Sequence, residues 1–208
     1  MAEREQLVDP AVSRAKFDRE VAQYRALEDD YIRRGWWLVK VAFPEVFVVF
    51  GTPRLAPPSV PFGVLLDFTN YDFLPPSVQL VNPFTRVPYR AKELMGLPFL
   101  RGRERVAPAS ESEAQGQAVE LEVQPLLQWH GDEEIPFLCL PGVREYHEHP
   151  AHTGDDWLLH RRKGEGTLYF LLDQIYTYGV RPIAGYNLEV RVQANARIAG
   201  YVQEEPPR

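Results

Sequence analysis

Residues Trp36 to Phe43 and Val46 to Phe50 read WWLVKVAF and VFVVF, with Pro44 breaking the run between them. Aromatic and β-branched residues dominate both segments, and such side chains favour the pleated surface of a sheet. A first strand over 36–50, interrupted at Pro44, is therefore expected. Gly51 to Pro61 holds four prolines and a glycine, the composition of a turn or loop. Phe62 to Thr69 reads as a second strand. Asn70 to Pro76 (NYDFLPP) is a proline-bounded crossing, and Ser77 to Val81 is a short third strand.

Upstream of this block, Asp9-Pro10 reads as a helix N-cap followed by proline at the first helical position. Phe17, Val21, Tyr24, Leu27 and Tyr31 then recur at spacings of 4, 3, 3 and 4, one face of a helix. Arg33 and Arg34 suit the negative end of its dipole and Gly35 the position just past it. One amphipathic helix is predicted over 9–34, lying on the sheet that follows. A helix followed by strands in a meander predicts an α+β fold, an antiparallel meander sheet with flanking helices, rather than alternating βαβ units.

Downstream the pattern changes. Arg101 to Ala118 (RGRERVAPASESEAQGQA) is polar and rich in small residues, and is expected to be a flexible surface insertion. Val119 to Val123 (VELEV) alternates like an edge strand. Pro136 to Leu140 (PFLCL) is a short apolar run ending at Pro141-Gly142. Thr167 to Tyr178 predicts a second helix, capped by Thr167, with Leu168, Leu171, Leu172 and Ile175 on its apolar face and Gly179 ending it. Tyr186 to Ala194 alternates like a last strand, and 203–208 is a polar tail expected to fray.

Composition bounds the function. The chain has 208 residues, 45% of them hydrophobic and 25% charged, which suits one globular domain. Its 23 basic and 29 acidic residues give a net charge of −6, against a protein whose main task is coating nucleic acid. The start, MAEREQLVDP, is charged and lacks the apolar core of a signal peptide. The longest apolar runs, such as Val46 to Phe50, fall far short of the roughly 20 residues of a membrane span. No membrane or nucleic-acid partner and a cytoplasmic location are expected. The lone Cys139 excludes an intrachain disulfide, a four-cysteine zinc ribbon and a conventional iron–sulfur cluster within one chain.

That cysteine sits beside the densest chemistry in the chain. Three of the five histidines fall within six residues, in the stretch Cys139-Leu-Pro-Gly-Val-Arg-Glu145-Tyr-His147-Glu-His149-Pro-Ala-His152. In extended chain His147 and His149 point to one side, with Glu145 on that same side, and Pro150 turns the chain so that His152 can return toward them. Imidazoles with a carboxylate or thiolate form the donor set that zinc takes. Cys139, Glu145, His147, His149 and His152 are therefore candidate metal ligands. Glu148 points the other way. Asp155 and Asp156 can orient imidazole N–H groups or be plain solvated acids. Cys139 has two readings, a small buried hydrophobe among Phe137, Leu138 and Leu140 or a nucleophile activated by nearby imidazole or metal. Spacing ranks none of the three histidines as its base. Other signatures are missing: Gly164-Glu-Gly166 has neither the lysine nor the spacing of a P-loop, and there is no G-x-S-x-G and no H-E-x-x-H.

The order of these features resembles ubiquitin-conjugating enzymes. A helix and strand meander lead to a tyrosine- and proline-containing crossing (Tyr71, Pro75, Pro76), then to Cys139, Trp157 and the helix from Thr167. In that family the nucleophilic cysteine precedes a tryptophan and the next helix. The family's H-P-N tripeptide is missing here, with Asn82-Pro83 its nearest trace. The segment Cys139 to Trp157 is similar to a bacterial family described by its Cys-Glu-His-His pattern, predicted to bind metal and found beside ubiquitin-like proteins, activating enzymes and JAB-type peptidases. Its pattern maps onto Cys139, Glu145 and two of His147, His149 and His152. The resemblance implies a single ubiquitin-conjugating-like domain over 1–208, with its active-site segment and helix in 136–179. It also implies a transferase that carries a ubiquitin-like protein as a thioester on Cys139 and passes it to an amine. The competing readings are a non-catalytic zinc module that closes the 139–152 loop, and a metal hydrolase with Glu145 or Glu148 as base.

Overall fold

The computed structural model describes residues 5–106 and 119–187. The expected polar tail, most of the expected strand Tyr186–Ala194 and residues 107–118 of the expected insertion lie outside the described residues.

The N-terminal helical segment starts as expected and then breaks. α1 spans Pro10–Arg25, and the Asp9 carboxylate accepts the Ala11 N–H at 2.8 Å. α2 spans Glu28–Arg34, so two helices replace the single one predicted over 9–34. Leu27, on the predicted stripe, leaves helical geometry (φ −125°, ψ 17°), and Glu28, Asp29 and Asp30 form an acidic first turn for α2. The buried stripe survives the break: Phe17, Val21, Tyr24 and Tyr31 are all buried, whereas Leu27 is exposed. Gly35 ends α2 at φ +90°, and a Cβ there would sit 2.4 Å from the Gly51 carbonyl oxygen, so the turn into the sheet demands glycine.

The expected meander is present, with four strands rather than three, because the stretch 36–50 folds back on itself at Phe43-Pro44. β1 (Trp36–Ala42), β2 (Glu45–Phe50), β3 (Phe62–Asp67) and β4 (Ser77–Val81) pair antiparallel in chain order. The register places Val48 opposite Val64 and Val64 opposite Leu80. Val46, Val48, Phe50, Phe62, Val64, Leu66, Val78 and Leu80 therefore share one face, and all are buried. The helices close over this face. Tyr31 of α2 stacks on Trp36 with ring centroids 4.9 Å apart, and Phe17 of α1 meets Phe68 edge-on at 5.4 Å.

The short helix α3 spans Ala91–Leu94 and precedes a second sheet. Arg101 does not begin a loop: β5 (Leu100–Val106) pairs antiparallel with β6 (Val119–Pro125), Leu100 facing Pro125 and Val106 facing Val119. Backbone pairing needs no apolar face, which is why polar composition hid the strand. β7 (Leu127–Gln128) and β8 (Phe137–Leu138) form a third, two-residue pairing with Leu127 opposite Leu138.

The chain then enters α4 (Arg144–Glu148), a 3-10 turn at Pro150–His152, two more at Trp157–Leu159 and Arg161–Lys163, and α5 (Leu168–Ile175). Thr167 caps α5 by accepting the Phe170 N–H at 3.4 Å. Leu168, Leu171, Leu172 and Ile175 are buried as predicted. Gly179 does not end the helix but lies in a π-helical turn, Tyr176–Val180. A Cβ on Gly179 would sit 2.3 Å from the Phe99 ring, so glycine serves close packing there.

Candidate functional site

Cys139 lies just past β8. Its N–H donates to the Leu126 carbonyl at 2.7 Å, holding the residue against the β7 hairpin. The flanking Leu138 and Leu140 are buried while Cys139 itself is half-buried. The next turn is tight: a Cβ on Gly142 would stand 1.8 Å from the Glu165 carbonyl oxygen, so two backbones touch there.

α4 overturns the extended geometry expected for the histidine stretch. Two positions along a helix are about 200° apart, so Glu145 and His147 cannot share a side. The first turn is clamped by the buried Arg144, whose Nε donates to the Pro75 carbonyl at 3.1 Å and whose backbone N–H donates to Pro76 at 2.9 Å. Glu145 consequently faces β4, accepting from the Ser77 hydroxyl and, at 3.2 Å, from the Val78 N–H. Burial pushes its carboxyl above its ordinary pKa, against those donors. His147 faces two carbonyl oxygens, Asp155 from Nδ1 at 2.8 Å and Pro141 from Nε2 at 2.6 Å. Both ring nitrogens thus abut backbone carbonyls and neither is turned toward Cys139.

The other two histidines do approach the thiol region. His152 Nε2 stands 3.6 Å from Cys139 Sγ, and its ring stacks on Tyr146 with centroids 3.9 Å apart and planes 19° from parallel. His149 lies 5.6 Å from His152, ring to ring, and its Nε2 meets His130 Nε2 at 3.0 Å. Its Nδ1 accepts the Ala151 N–H at 3.2 Å. Cys139 and His152 are thus brought together, His149 pairs with His130 at the edge, and Glu145 and His147 are turned elsewhere. Among the described residues no three His, Cys, Asp or Glu side chains are arranged to hold a metal ion. The expected zinc set of Cys139, Glu145, His147, His149 and His152 does not fit a single ion, because α4 points two of its members away.

The electrostatics of the central pair follow from burial. Desolvation raises the Cys139 thiol above its ordinary value, and the Arg101 charge offsets this only in part. Desolvation and the neighbouring His149 lower the His152 imidazole. Both shifts favour a neutral thiol beside a neutral imidazole over a thiolate–imidazolium pair.

A network that sequence reading largely missed surrounds the pair. Asp155 Oδ2 accepts the Tyr146 hydroxyl at 2.6 Å and Oδ1 meets His160 Nε2 at 2.6 Å; these bonds hold its carboxyl below its ordinary pKa. His160 Nδ1 meets Glu165 Oε2 at 2.5 Å. Asp155 thus orients imidazoles, whereas Asp156 caps the turn at Trp157–Leu159 through the Leu158 N–H at 2.8 Å. Trp157 donates from its indole to the Asp72 carbonyl at 3.2 Å, tying the crossing to this segment. A cavity of about 540 Å³ opens here, with Pro75, His147, His152, Asp155 and Trp157 in its walls. Asn82, the nearest trace of an H-P-N tripeptide, spends its carbonyl oxygen on the Phe84 and Thr85 N–H groups of its own turn.

Comparison with known proteins matches residues 8–183 to the Y4jH-like family. A relative, the uncharacterized protein y4jH of Sinorhizobium fredii (strain NBRC 101917 / NGR234), is 42% identical over 190 residues, covering 90% of this chain and 91% of its own. The chain belongs to the Y4jH family.

Proposed function

We propose that this Y4jH-family chain is a ubiquitin-conjugating-like carrier with a ubiquitin-conjugating-like fold. It accepts the C-terminus of a ubiquitin-like protein from an activating enzyme as a thioester on Cys139, then passes it to an amine. The observation that carries the reading is the 3.6 Å approach of His152 Nε2 to Cys139 Sγ, at the place in chain order where a conjugating enzyme keeps its nucleophile. The order of α1, the four-strand meander, the crossing, Cys139, Trp157 and α5 supports it. A JAB-type peptidase of the same pathway and a cytoplasmic setting accompany the proposal.

The chemistry needs a proton acceptor, because the thiol rests protonated. His152 takes the S–H proton as Sγ attacks the incoming thioester carbonyl. The activating enzyme's sulfur leaves as a thiolate and receives a proton in turn. In the second step the amine nitrogen attacks the Cys139 thioester, the C–S bond breaks, and the amine's proton is removed by His152 or water while the Cys139 sulfur is released. The cavity beside His152 offers the amine an approach.

The test is incubation with a bacterial ubiquitin-like protein and the enzyme that activates it, with ATP. A thiol-sensitive adduct on wild type that is missing on Cys139→Ala supports the carrier. A non-catalytic zinc module keeps one supporting observation: a tetrahedral site with Zn–S near 2.3 Å and Zn–N near 2.0 Å puts two such ligands about 3.5 Å apart, close to the 3.6 Å between Cys139 and His152. Stoichiometric zinc in purified wild type that is lost in a His149→Ala, His152→Ala variant would favour the module.

A further inference from the structure

We infer that His160 is a positioning residue that holds Cys139 and His152 in register from both sides. The inference rests on the reading of Cys139 as the nucleophile and His152 as its base. His160 is buried between the turns Trp157–Leu159 and Arg161–Lys163 and lies outside the walls of the cavity beside His152. It is therefore placed to act through other residues rather than on a substrate.

One strut runs to His152. His160 Nε2 meets Asp155 Oδ1 at 2.6 Å, and the other oxygen of that carboxylate takes the Tyr146 hydroxyl at 2.6 Å. The Tyr146 ring is the platform on which His152 stacks at 3.9 Å. Rotation of His152 away from Sγ requires leaving that platform, and the platform is fixed at its hydroxyl end. A second strut runs to Cys139. His160 Nδ1 meets Glu165 Oε2 at 2.5 Å, and the Glu165 backbone is pressed against Gly142, three residues past the cysteine. His147 joins the two struts, bonding the Pro141 carbonyl on one side and the Asp155 carbonyl on the other. One imidazole bridging two carboxylates thus sets the separation of nucleophile and base. The arrangement resembles the way an outer carboxylate fixes a catalytic imidazole, with the order of groups extended by an aromatic stack.

Cys139 is the chain's single thiol, so its alkylation by iodoacetamide reads this geometry without any partner protein. Base assistance is commonly worth about 10²–10⁴-fold, so at neutral pH His152→Ala is expected to slow alkylation at least about tenfold. His160→Ala is expected to reproduce that loss and the same change in pH profile. In the His152→Ala background, adding His160→Ala is expected to leave the residual rate unchanged. Equal slowing in both backgrounds, or a wild-type profile for His160→Ala, overturns the inference. Should circular dichroism show that His160→Ala is unfolded, the shape-conserving Glu165→Gln and Asp155→Asn carry the same cycle. Dependence on His152 in either supports the inference, and independence in both overturns it. Coupling observed without any thioester adduct in the reconstitution would overturn the carrier and leave the positioning role standing.

Discussion

The His152 imidazole faces the Cys139 thiol at 3.6 Å while its opposite constraint, the stack on Tyr146, holds the ring nearly parallel to a side chain from α4. The relationship joins the end of a two-residue strand to a 3-10 turn thirteen residues later. It converts a lone half-buried cysteine into a candidate nucleophile with a defined proton acceptor.

The first prediction concerns pH. The thiol is raised and the imidazole lowered relative to their ordinary values. Alkylation of Cys139 should therefore rise with a main limb above the ordinary thiol range, and a smaller His152-dependent limb should begin below the ordinary imidazole value. His152→Ala should remove the lower limb only. A thiolate–imidazolium pair would instead give a plateau of high reactivity extending into acid. The same shifts bear on stability with defined signs. A lowered His152 makes the folded state lose stability as pH falls below the ordinary imidazole value, because the unfolded chain then binds the proton more readily. A raised Cys139 makes it lose stability as pH rises above the ordinary thiol value. Urea melts across these two windows check both.

The second prediction concerns Glu145. Its carboxylate serves β4 through Ser77 and Val78. Glu145→Ala should destabilise the fold by about 1–3 kcal/mol, since it takes from the Val78 N–H its side-chain acceptor and from Ser77 one of its bonds. The alkylation rate of Cys139 at neutral pH should stay within a few-fold of wild type. Unchanged stability together with lost zinc binding would restore Glu145 as a metal ligand.

The third prediction concerns Gly142. Its α-hydrogen faces the Glu165 carbonyl where a Cβ would sit at 1.8 Å. Gly142→Ala must push apart the turn after Cys139 and the turn before α5, at a cost of about 3 kcal/mol or more, near the top of the range for single substitutions. Gly154→Ala is the control, because nothing lies within 4 Å of its Cβ position. Thermal melts of the two variants separate packing from backbone freedom.

The meander was legible because the proline-rich 51–61 and 70–76 segments punctuate strongly apolar runs, whereas the hairpin at Phe43-Pro44 was not, since its two arms read as one broken strand. The break between α1 and α2 was hidden because Tyr31 continues the stripe of Phe17 and Tyr24 across it. β5 was hidden by its polar composition. At the site, Cys139 and His152 were legible as chemistry but not as a pair, since their approach depends on α4 and the turn after it. The five residues of α4 are too few to display a helical period, and that same helix turns Glu145 and His147 away from Cys139. His160 carried no signal at all: its partners Asp155 and Glu165 lie five residues to either side, a spacing that marks no element.

The central claim is that Cys139 carries the acyl group, and mass spectrometry of the reconstituted reaction tests it most directly. With activating enzyme, ubiquitin-like protein and ATP, wild type should gain one ubiquitin-like protein minus a water, bound at Cys139 and released by thiol reductant. Cys139→Ala should gain nothing, and His152→Ala should form the adduct more slowly. An unmodified wild-type chain in a reaction where the activating enzyme itself is charged, or an undiminished adduct on Cys139→Ala, would contradict the account.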